Sequence, residues 1–407
     1  MSSGPADHAI EQNYDVLIVG AGPAGCAAAY DLASAGKRVL LLDRRTFPRH
    51  KACACGLTRK TLKALRYSVD PIVERVCHEI VLQQHSDEPK HREVRVRTRN
   101  PICAMAVRER FDAFCLNQTL AAGATLRTIN SLIALRETPD HIELTILTDK
   151  GPETLKAPVL IGADGSNGQT RRLSQHPEST TAQLPAEPTW YTRGFALEAT
   201  VPYTALTNLP PGTHPQDLIF DFTPLPGGYG WLFPKGDHIN IGVGAFAPDE
   251  SSSNDEEKLK QVTRTLLNEY TQQKLGLIPT HITGQHLGMG GHQYIPQGRV
   301  FLVGDAAGLV DPLTGEGIHS AIVSGQAAAA AILLSSNKNI ATAYATHLRP
   351  LQETLAFSHR AAKAFYKQPQ RGFRAMRMPV LRSLVLKTYA DGLPHTALLG
   401  KLAAAVV

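Results

Sequence analysis

The stretch from Asp15 to Asp43 constrains the fold more than any other part of the chain; it reads DVLIVGAGPAGCAAAYDLASAGKRVLLLD. Its pattern predicts a buried strand, a GxGxxG turn, an Ala-rich helix and a second buried strand that ends in an acid. The first glycine permits the tight turn, the second lets backbone N–H groups approach a pyrophosphate, and the third lets the helix pack on the strand. The stretch therefore predicts a dinucleotide site at Gly20, Gly22, Pro23, Ala24 and Gly25.

The acid at Asp43 indicates which dinucleotide the chain holds. A carboxylate at this position accepts hydrogen bonds from an adenosine ribose and disfavours a 2′-phosphate. We therefore expect tightly bound FAD or NAD, and not NADP, with Arg44 beside Asp43 in the same site.

The composition is that of a soluble globular protein: of 407 residues, 43% are hydrophobic and 19% charged, and the net charge is +6. This mild charge is no signature of nucleic-acid binding.

We expect a mobile tail over residues 1–12 because this stretch is polar. We also expect a cytoplasmic protein, because signal-peptide and membrane-spanning patterns are lacking. The six cysteines are sparse, which favours reduced thiols over a disulfide framework, and the sequence shows no metal-ligand set.

Cys53 and Cys55 lie in a loop of small and basic residues before a predicted helix. A disulfide between residues two apart is strained, and a zinc site would need two further ligands. Two interpretations stay open: structural or ring-facing thiols, and redox or catalytic thiols. The small residues beside them, Ala54 and Gly56, would let the loop lie close against a flat ring.

A second strand end carries an acid followed by glycine. Residues 158–161 predict a buried strand, and Asp164 and Gly165 follow shortly after its end. With Arg171 beyond them, the pattern fits either a ligand-lining loop or an internal salt bridge between Asp164 and Arg171.

A third strand, predicted over residues 299–303, ends at Gly304 and Asp305. The long Ala-rich helix beyond it begins near Gly315, Gly317 and Ile318, and its N-terminus can hold an anion or a ring carbonyl. Arg108 and Arg110 begin another helix; either one of them turns towards a phosphate or a ring edge, or both are solvated surface charges.

The second half of the chain predicts a sheet and then helices. Residues 174–188 are rich in Pro, Ser, Thr and Ala, which indicates a linker, and a strand-rich region follows to about residue 295. In it, alternation places Tyr229, Trp231 and Phe233 on one strand face, either as an aromatic wall for an apolar ligand or as a buried sheet face. Residues 256–275 predict an amphipathic helix, and the basic and apolar segments after residue 370 either contact a membrane surface or pack on the body of the protein.

We therefore predict an α/β protein with a Rossmann-like domain for FAD or NAD, a mixed or antiparallel substrate sheet and a helical C-terminal region. The predicted boundaries place this nucleotide-binding domain, an FAD-binding domain if the dinucleotide is FAD, at residues 13–173 and 296–340, the substrate sheet at 174–295 and the C-terminal helices at 341–407.

The three strand-end motifs together resemble the flavoprotein superfamily with the para-hydroxybenzoate hydroxylase fold. Within it the chain is most similar to the geranylgeranyl reductase family. The family loop FPRxKxCGGGL is matched by Phe47, Pro48, Arg49, Lys51, Cys53, Gly56 and Leu57; YxWxFPK by Tyr229, Trp231, Phe233, Pro234 and Lys235; and GDAAGxxxPxxGEGI by residues from Gly304 through Pro312 to Ile318. The chain departs from the family at Ala54 and Cys55, where glycines are usual, and at Gly168, where serine is usual.

The resemblance implies FAD as the cofactor, with Lys51 and Arg108 among the residues that contact it, and Tyr229, Trp231 and Phe233 in the alkene pocket. It implies hydride transfer from reduced flavin to carbon–carbon double bonds of an isoprenoid or lipid-like substrate. We assign the catalytic loop to Cys53 and Cys55, with Cys53 as the proton donor. The reductant is NAD(P)H that docks transiently or a reduced electron-carrier protein. The rival functions are a flavin-dependent monooxygenase or halogenase, and a non-catalytic redox sensor that uses the two cysteines.

Overall fold

The computed structural model describes residues 14–84, 93–176, 178–225, 227–246, 256–335 and 339–392. The expected mobile tail and residues 393–407 lie outside this part of the chain. The strands, in chain order, are β1 (Val16–Val19), β2 (Val39–Asp43), β3 (Gly56–Thr58), β4 (Val73–Cys77), β5 (Glu79–Gln83), β6 (Glu93–Arg97), β7 (Cys103–Ala106), β8 (Thr125–Thr128), β9 (Ser131–Glu137), β10 (Ile142–Thr148), β11 (Gly151–Ala157), β12 (Val159–Gly162), β13 (Glu178–Thr180), β14 (Thr192–Pro202), β15 (Ile219–Asp221), β16 (Gly228–Pro234), β17 (His238–Ala245), β18 (Ile282–Met289) and β19 (Val300–Leu302). The α-helices are α1 (Pro23–Ser34), α2 (Arg59–Ala64), α3 (Arg108–Ala121), α4 (Thr170–Leu173), α5 (Glu256–Leu275), α6 (Ile318–Leu334), α7 (Ile340–Lys367), α8 (Pro369–Met376) and α9 (Pro379–Asp391).

A five-stranded parallel sheet in the order β19-β12-β1-β2-β8 forms the base of the molecule. Its central strands are apolar at every core position because both faces are covered. Val16 and Ile18 of β1 face a core shared with α1 and α6, whereas Leu17 faces the antiparallel sheet β11-β10-β9-β13. The strands predicted from the three strand-end motifs, β1, β12 and β19, are therefore neighbours, and their carboxyl ends lie at one edge.

A seven-stranded sheet in the order β18-β14-β17-β16-β15-β5-β6 lies over that edge. Its pairs are antiparallel except β5 with β15, so the sheet is mixed. Alternation along β16 places Trp231 on one face and Leu232 on the other, where α5 packs through Leu267 and Tyr270. The predicted class, a parallel nucleotide-binding sheet with a mixed sheet and C-terminal helices, is confirmed.

Two details differ from the linear sequence pattern. Strands β5 and β6 come from the first hundred residues, yet they complete the seven-stranded sheet. Residues 178–180, within the stretch that composition indicates as a linker, form β13 and pair with β9. The predicted domain boundaries stay predictions.

Two of the C-terminal helices, α8 and α9, pack against the aromatic face of the seven-stranded sheet. Phe373 of α8 and Leu386 and Ala390 of α9 are buried in the same apolar cluster as the aromatic face of β16. Among the described residues, no helix combines the length and the apolar character that crossing a bilayer requires.

Candidate functional site

A cavity of about 390 Å³ lies between the carboxyl ends of the parallel strands and the aromatic face of the seven-stranded sheet. This edge of a parallel sheet is where α/β folds bind ligands. The structure brings these sequence-predicted residues to the cavity lining: Gly20, Gly22, Pro23, Ala24, Asp43, Arg44, Lys51, Cys53, Ala54, Cys55, Gly56, Arg108, Asp164, Gly165, Tyr229, Trp231, Phe233, Asp305, Gly315, Gly317 and Ile318. Their individual roles stay predictions.

The other two predicted residues, Gly25 and Gly304, pack behind the cavity. A Cβ atom on Gly25 would lie 1.9 Å from the carbonyl oxygen of Gly20. Gly304 has φ +57°, and a Cβ there would lie 3.1 Å from Cβ of Ala24. Both glycines let α1 approach the strand ends closely.

The N-terminus of α1 opens into the cavity. Gly22 is its N-cap residue with Pro23 in the first turn, and none of the described side chains caps it. A Cβ on Gly22 would have one neighbour within 4 Å, an Nη2 atom of Arg49 at 3.6 Å. At the cavity mouth, the backbone N–H groups of Ala21 and Arg45 donate to the two carboxylate oxygens of Asp43 at 2.8 and 2.9 Å.

Of the two arginines that begin α3, Arg108 is the one that faces the cavity. It is buried, and its Nε donates to Oδ1 of Asp112 at 2.7 Å, while Nη1 of Arg49 lies 3.2 Å from Oδ2 of Asp112. Arg110 is largely exposed and pairs with Glu74. Two cationic side chains, Arg108 and Arg49, therefore share the buried carboxylate of Asp112.

The loop with Cys53 and Cys55 faces the aromatic sheet and is held by Lys235, the residue that follows β16. The buried Lys235 ammonium donates to the carbonyl oxygens of Ala54 and Ala106, the second at 2.9 Å. Cys55 has φ +46°, a left-handed conformation that favours glycine, which explains why the family usually has glycine there.

The two thiols have opposite protonation tendencies. The backbone N–H of Cys55 donates to Sγ of Cys53 at 3.3 Å. A hydrogen bond from the Cys55 thiol, together with the Arg108 guanidinium, holds the pKa of Cys53 well below its usual range. The hydrogen bond to Cys53 and burial raise the pKa of Cys55 well above its usual range. Of the two thiols, Cys53 is therefore the one that ionises first.

Asp164 presents a free oxygen at the carboxyl end of β12. Its Oδ2 accepts from the backbone N–H and the hydroxyl of Thr170 at 2.9 and 2.8 Å, whereas Oδ1 is buried without a partner among the described residues. Burial raises the pKa of Asp164. A Cβ on Gly168 would lie 2.1 Å from Cγ of Asp164, so the serine usual in the family would not fit this arrangement.

The salt bridge between Asp164 and Arg171 that the sequence left open is not formed. Arg171 is 1% exposed and instead pairs with Glu187 at 2.8 Å. It also donates to the carbonyl oxygen of Ala306 at 3.0 Å, and its guanidinium carbon lies 3.4 Å from the ring centre of Tyr191. Arg171 therefore ties the loop after β12 to the loop after β19.

The aromatic residues of β16 form part of a larger apolar wall. Phe220 lies 5.2 Å, centre to centre, from both Tyr229 and Phe233, and Phe246 lies 4.9 Å from Tyr229. Tyr389 of α9 adds a ring 6.0 Å from Phe220. Sequence reasoning missed these three rings because they come from separate elements and carry no local motif.

Sequence reasoning also missed a buried carboxyl group, Glu198, which lines the cavity from β14. Its Oε1 accepts the backbone N–H of Cys53 at 2.7 Å. The one available signal was a lone acid inside the apolar strand pattern RGFALEATV.

These features fit FAD. The uncapped helix N-terminus at Gly22 suits a pyrophosphate, the backbone-held Asp43 suits a ribose, and the unpartnered Oδ1 of Asp164 suits a hydroxyl or N–H donor. All three open onto the same cavity as the cysteine loop, so an elongated dinucleotide can contact them together.

Comparison with known proteins agrees with this assignment. The FAD binding domain family matches residues 13–337. Geranylgeranyl diphosphate reductase of Rhodobacter capsulatus is 31% identical over 324 residues, which cover 79% of this chain and 75% of the relative.

Two solved structures show the same fold. A geranylgeranyl bacteriochlorophyll reductase-like protein from Thermoplasma acidophilum superposes with a TM-score of 0.63 at 20% identity, covering 93% of this chain and 91% of its own. A flavin-dependent brominase superposes with a TM-score of 0.70 at 16% identity, covering 93% and 94%. The fold is therefore shared by a reductase-like protein and a halogenase. The chain belongs to the geranylgeranyl reductase family of FAD-dependent oxidoreductases.

Proposed function

We propose that the protein reduces carbon–carbon double bonds of an isoprenoid lipid. The observation that carries this proposal is the buried aromatic wall, which faces the cysteine loop and the nucleotide-binding strand ends across one cavity. Such a wall orients an apolar chain and excludes water from it. The relationship to a reductase whose name specifies geranylgeranyl diphosphate supports the same substrate class.

Each group of residues has a task in this reaction. FAD, when bound, supplies the hydride. The N-terminus of α1 and Asp43 would hold the nucleotide, Arg108 and Lys51 would stabilise negative charge on the reduced flavin, and the aromatic wall would position the alkene. The Cys53 loop, fixed by Lys235, lies between these parts. The electrons enter from transiently docked NAD(P)H or from a reduced carrier protein.

Anaerobic single turnover tests this function. Photoreduced holoprotein mixed with a geranylgeranyl lipid should return to oxidised flavin and yield a lipid that has gained two hydrogens per reduced bond. The fully saturated lipid is the matched control and should leave the flavin reduced. A product that forms only with oxygen and carries oxygen or halide would instead assign the protein to the monooxygenase or halogenase class, and no turnover with any donor or lipid would assign it to the redox sensors.

We also propose that α8 and α9 rest on an anionic membrane surface, where such a substrate resides. Residues 369–390 contain five basic residues and no acid; the basic residues are Arg371, Arg374, Arg377, Arg382 and Lys387. Beside them Met378 and Val380 are 57% and 54% exposed. Tyr389, on the inward face of α9, lines the cavity. Basic and apolar residues on one outward face are typical of helices that bind anionic lipid surfaces.

Vesicle cosedimentation checks this surface. Each basic residue near an anionic bilayer contributes about 1 kcal/mol. The double variant Arg374→Gln/Lys387→Gln should therefore bind phosphatidylserine vesicles about 30-fold more weakly at low salt, as two such contributions predict. The matched control Lys150→Gln/Lys156→Gln removes exposed charges at the far sheet β11-β10-β9-β13 and should bind as the unaltered protein does. Equal losses of vesicle affinity in both double variants would show that only net charge matters and would contradict a specific membrane-binding surface on α8 and α9.

A further inference from the structure

Glu198 is a buried acid whose position ties it to the reacting part of the cavity. It lies in the middle of β14, is 7% exposed and lines the cavity. Its Oε1 accepts the backbone N–H of Cys53 at 2.7 Å, so it contacts the loop directly. A carboxyl group at such a depth is rare unless it is neutral or paired.

A second contact joins Glu198 to the aromatic wall. Trp231 Nε1 donates to Oδ1 of Asn240 at 2.7 Å. Because an indole N–H can only donate, the oxygen of the Asn240 amide must face Trp231, and its NH₂ group is left to donate to Glu198. Glu198 is thus held between the Cys53 loop and Asn240 of β17, which in turn is bonded to Trp231 of the aromatic wall.

The surroundings of Glu198 favour its neutral form. Burial and the negative charge on Cys53 raise the pKa of Glu198 to about 8, against the opposing effects of the Lys235 ammonium and of hydrogen bonds from Cys53 N–H and Asn240. The pKa of Cys53 is held well below its usual range, so its thiol loses its proton more readily than an ordinary cysteine does. Glu198, in contrast, lines the cavity in surroundings that keep a proton on its carboxyl group.

We propose that Glu198, and not Cys53, delivers the proton to the alkene carbon that does not receive the hydride. This inference rests on the proposed function. The carboxyl O–H bond breaks as the new C–H bond forms, the electron pair of the broken bond stays on the carboxylate, and the carbon–carbon double bond becomes a single bond with one hydride and one proton added. Solvent water then returns the proton to the carboxylate. Cys53 keeps Glu198 neutral through its own charge.

The variant Glu198→Gln tests the proposal because it keeps the shape and an acceptor for Cys53 N–H. Loss of a general acid lowers rates by about 10²–10⁴-fold, so lipid-dependent reoxidation of the photoreduced variant should slow by that factor while photoreduction proceeds normally. Reoxidation by the unaltered protein should be fast below pH 8 and fall above it, and this decline should vanish in the variant. The matched control Glu153→Gln, on the exposed surface of β11, should leave the rate and pH profile unchanged.

Infrared spectroscopy provides a readout that needs neither lipid nor turnover. The carbonyl stretch of a protonated carboxylic acid should titrate near pH 8 in the unaltered protein and in Glu153→Gln, and be absent in Glu198→Gln. In Cys53→Ser the titration should move to lower pH, because the neighbouring negative charge is gone. An active enzyme with no such band near neutral pH, or a folded Glu198→Gln variant with unchanged rates, would overturn the proposal. An unaltered protein that reduces no lipid would overturn the proposed function, whatever the infrared result.

Discussion

Arg171→Met is expected to lower the free energy of unfolding by about 2–3 kcal/mol, the usual cost of losing a charge-assisted hydrogen bond and leaving a buried carbonyl unpaired. The guanidinium is 1% exposed and bonds to Glu187 and to the carbonyl oxygen of Ala306. Methionine fills some of the space but leaves a buried carbonyl unpaired and removes the contact with the Tyr191 ring. Because the side chain joins the loops after β12 and β19, which line the proposed FAD site, the variant should also retain less FAD.

Urea denaturation and the flavin-to-protein absorbance ratio measure these two effects. Arg172→Met is the matched control: its guanidinium bonds to backbone carbonyls of Leu184 and Pro185 and is only half-buried. Its free energy of unfolding should fall by about 1 kcal/mol, the usual contribution of a hydrogen-bonded side chain. Equal losses in the two variants would contradict a specific role for Arg171.

Lys235→Met is expected to destabilise the protein by about 3 kcal/mol and to raise the pKa of Cys53. The stability loss follows because the carbonyl oxygens of Ala54 and Ala106 would lose their buried donor, and each unpaired group costs about 1–3 kcal/mol. The change in pKa follows because the Lys235 ammonium attracts the negative charge of the cysteine pair. Cys53 would then hold its proton to higher pH.

The rate of alkylation by iodoacetamide as a function of pH reports the Cys53 thiolate, since Cys55 is buried. The midpoint of this rate–pH curve should lie well below pH 9 in the unaltered protein and at a higher pH in Lys235→Met. Lys150→Met, in the exposed turn between β10 and β11, should change neither stability nor midpoint. An unchanged midpoint in Lys235→Met would mean that Arg108 and Cys55 alone set the charge on Cys53.

The sequence predicted those parts of the site that are encoded by neighbouring residues. The turn at Gly20, the acids at the ends of three parallel strands and the alternating rings of β16 each follow from local periodicity or steric need. Their convergence on one cavity follows from a general rule, since the carboxyl ends of parallel strands meet at one edge.

The remaining parts depend on pairings between distant residues, which local pattern does not specify. Glu198 meets Cys53 across 145 positions. Arg171 pairs with Glu187, which lies 16 positions away in the sequence, and not with Asp164, whose Oδ2 is bonded to Thr170. Likewise, the register that places Phe220 beside Tyr229 and Phe233 is fixed by the pairing of β15 with β16.

The parallel pairing of β5 with β15 has a consequence for how the chain is made. Leu82 is synthesised well before its partner Phe220, so the β5–β6 hairpin leaves the ribosome with one edge exposed. That edge stays open to wrong partners until about 120 further residues have emerged. Co-translational folding should therefore stall at this hairpin, and a chaperone that shields strand edges should raise the yield of the protein most at that stage of translation.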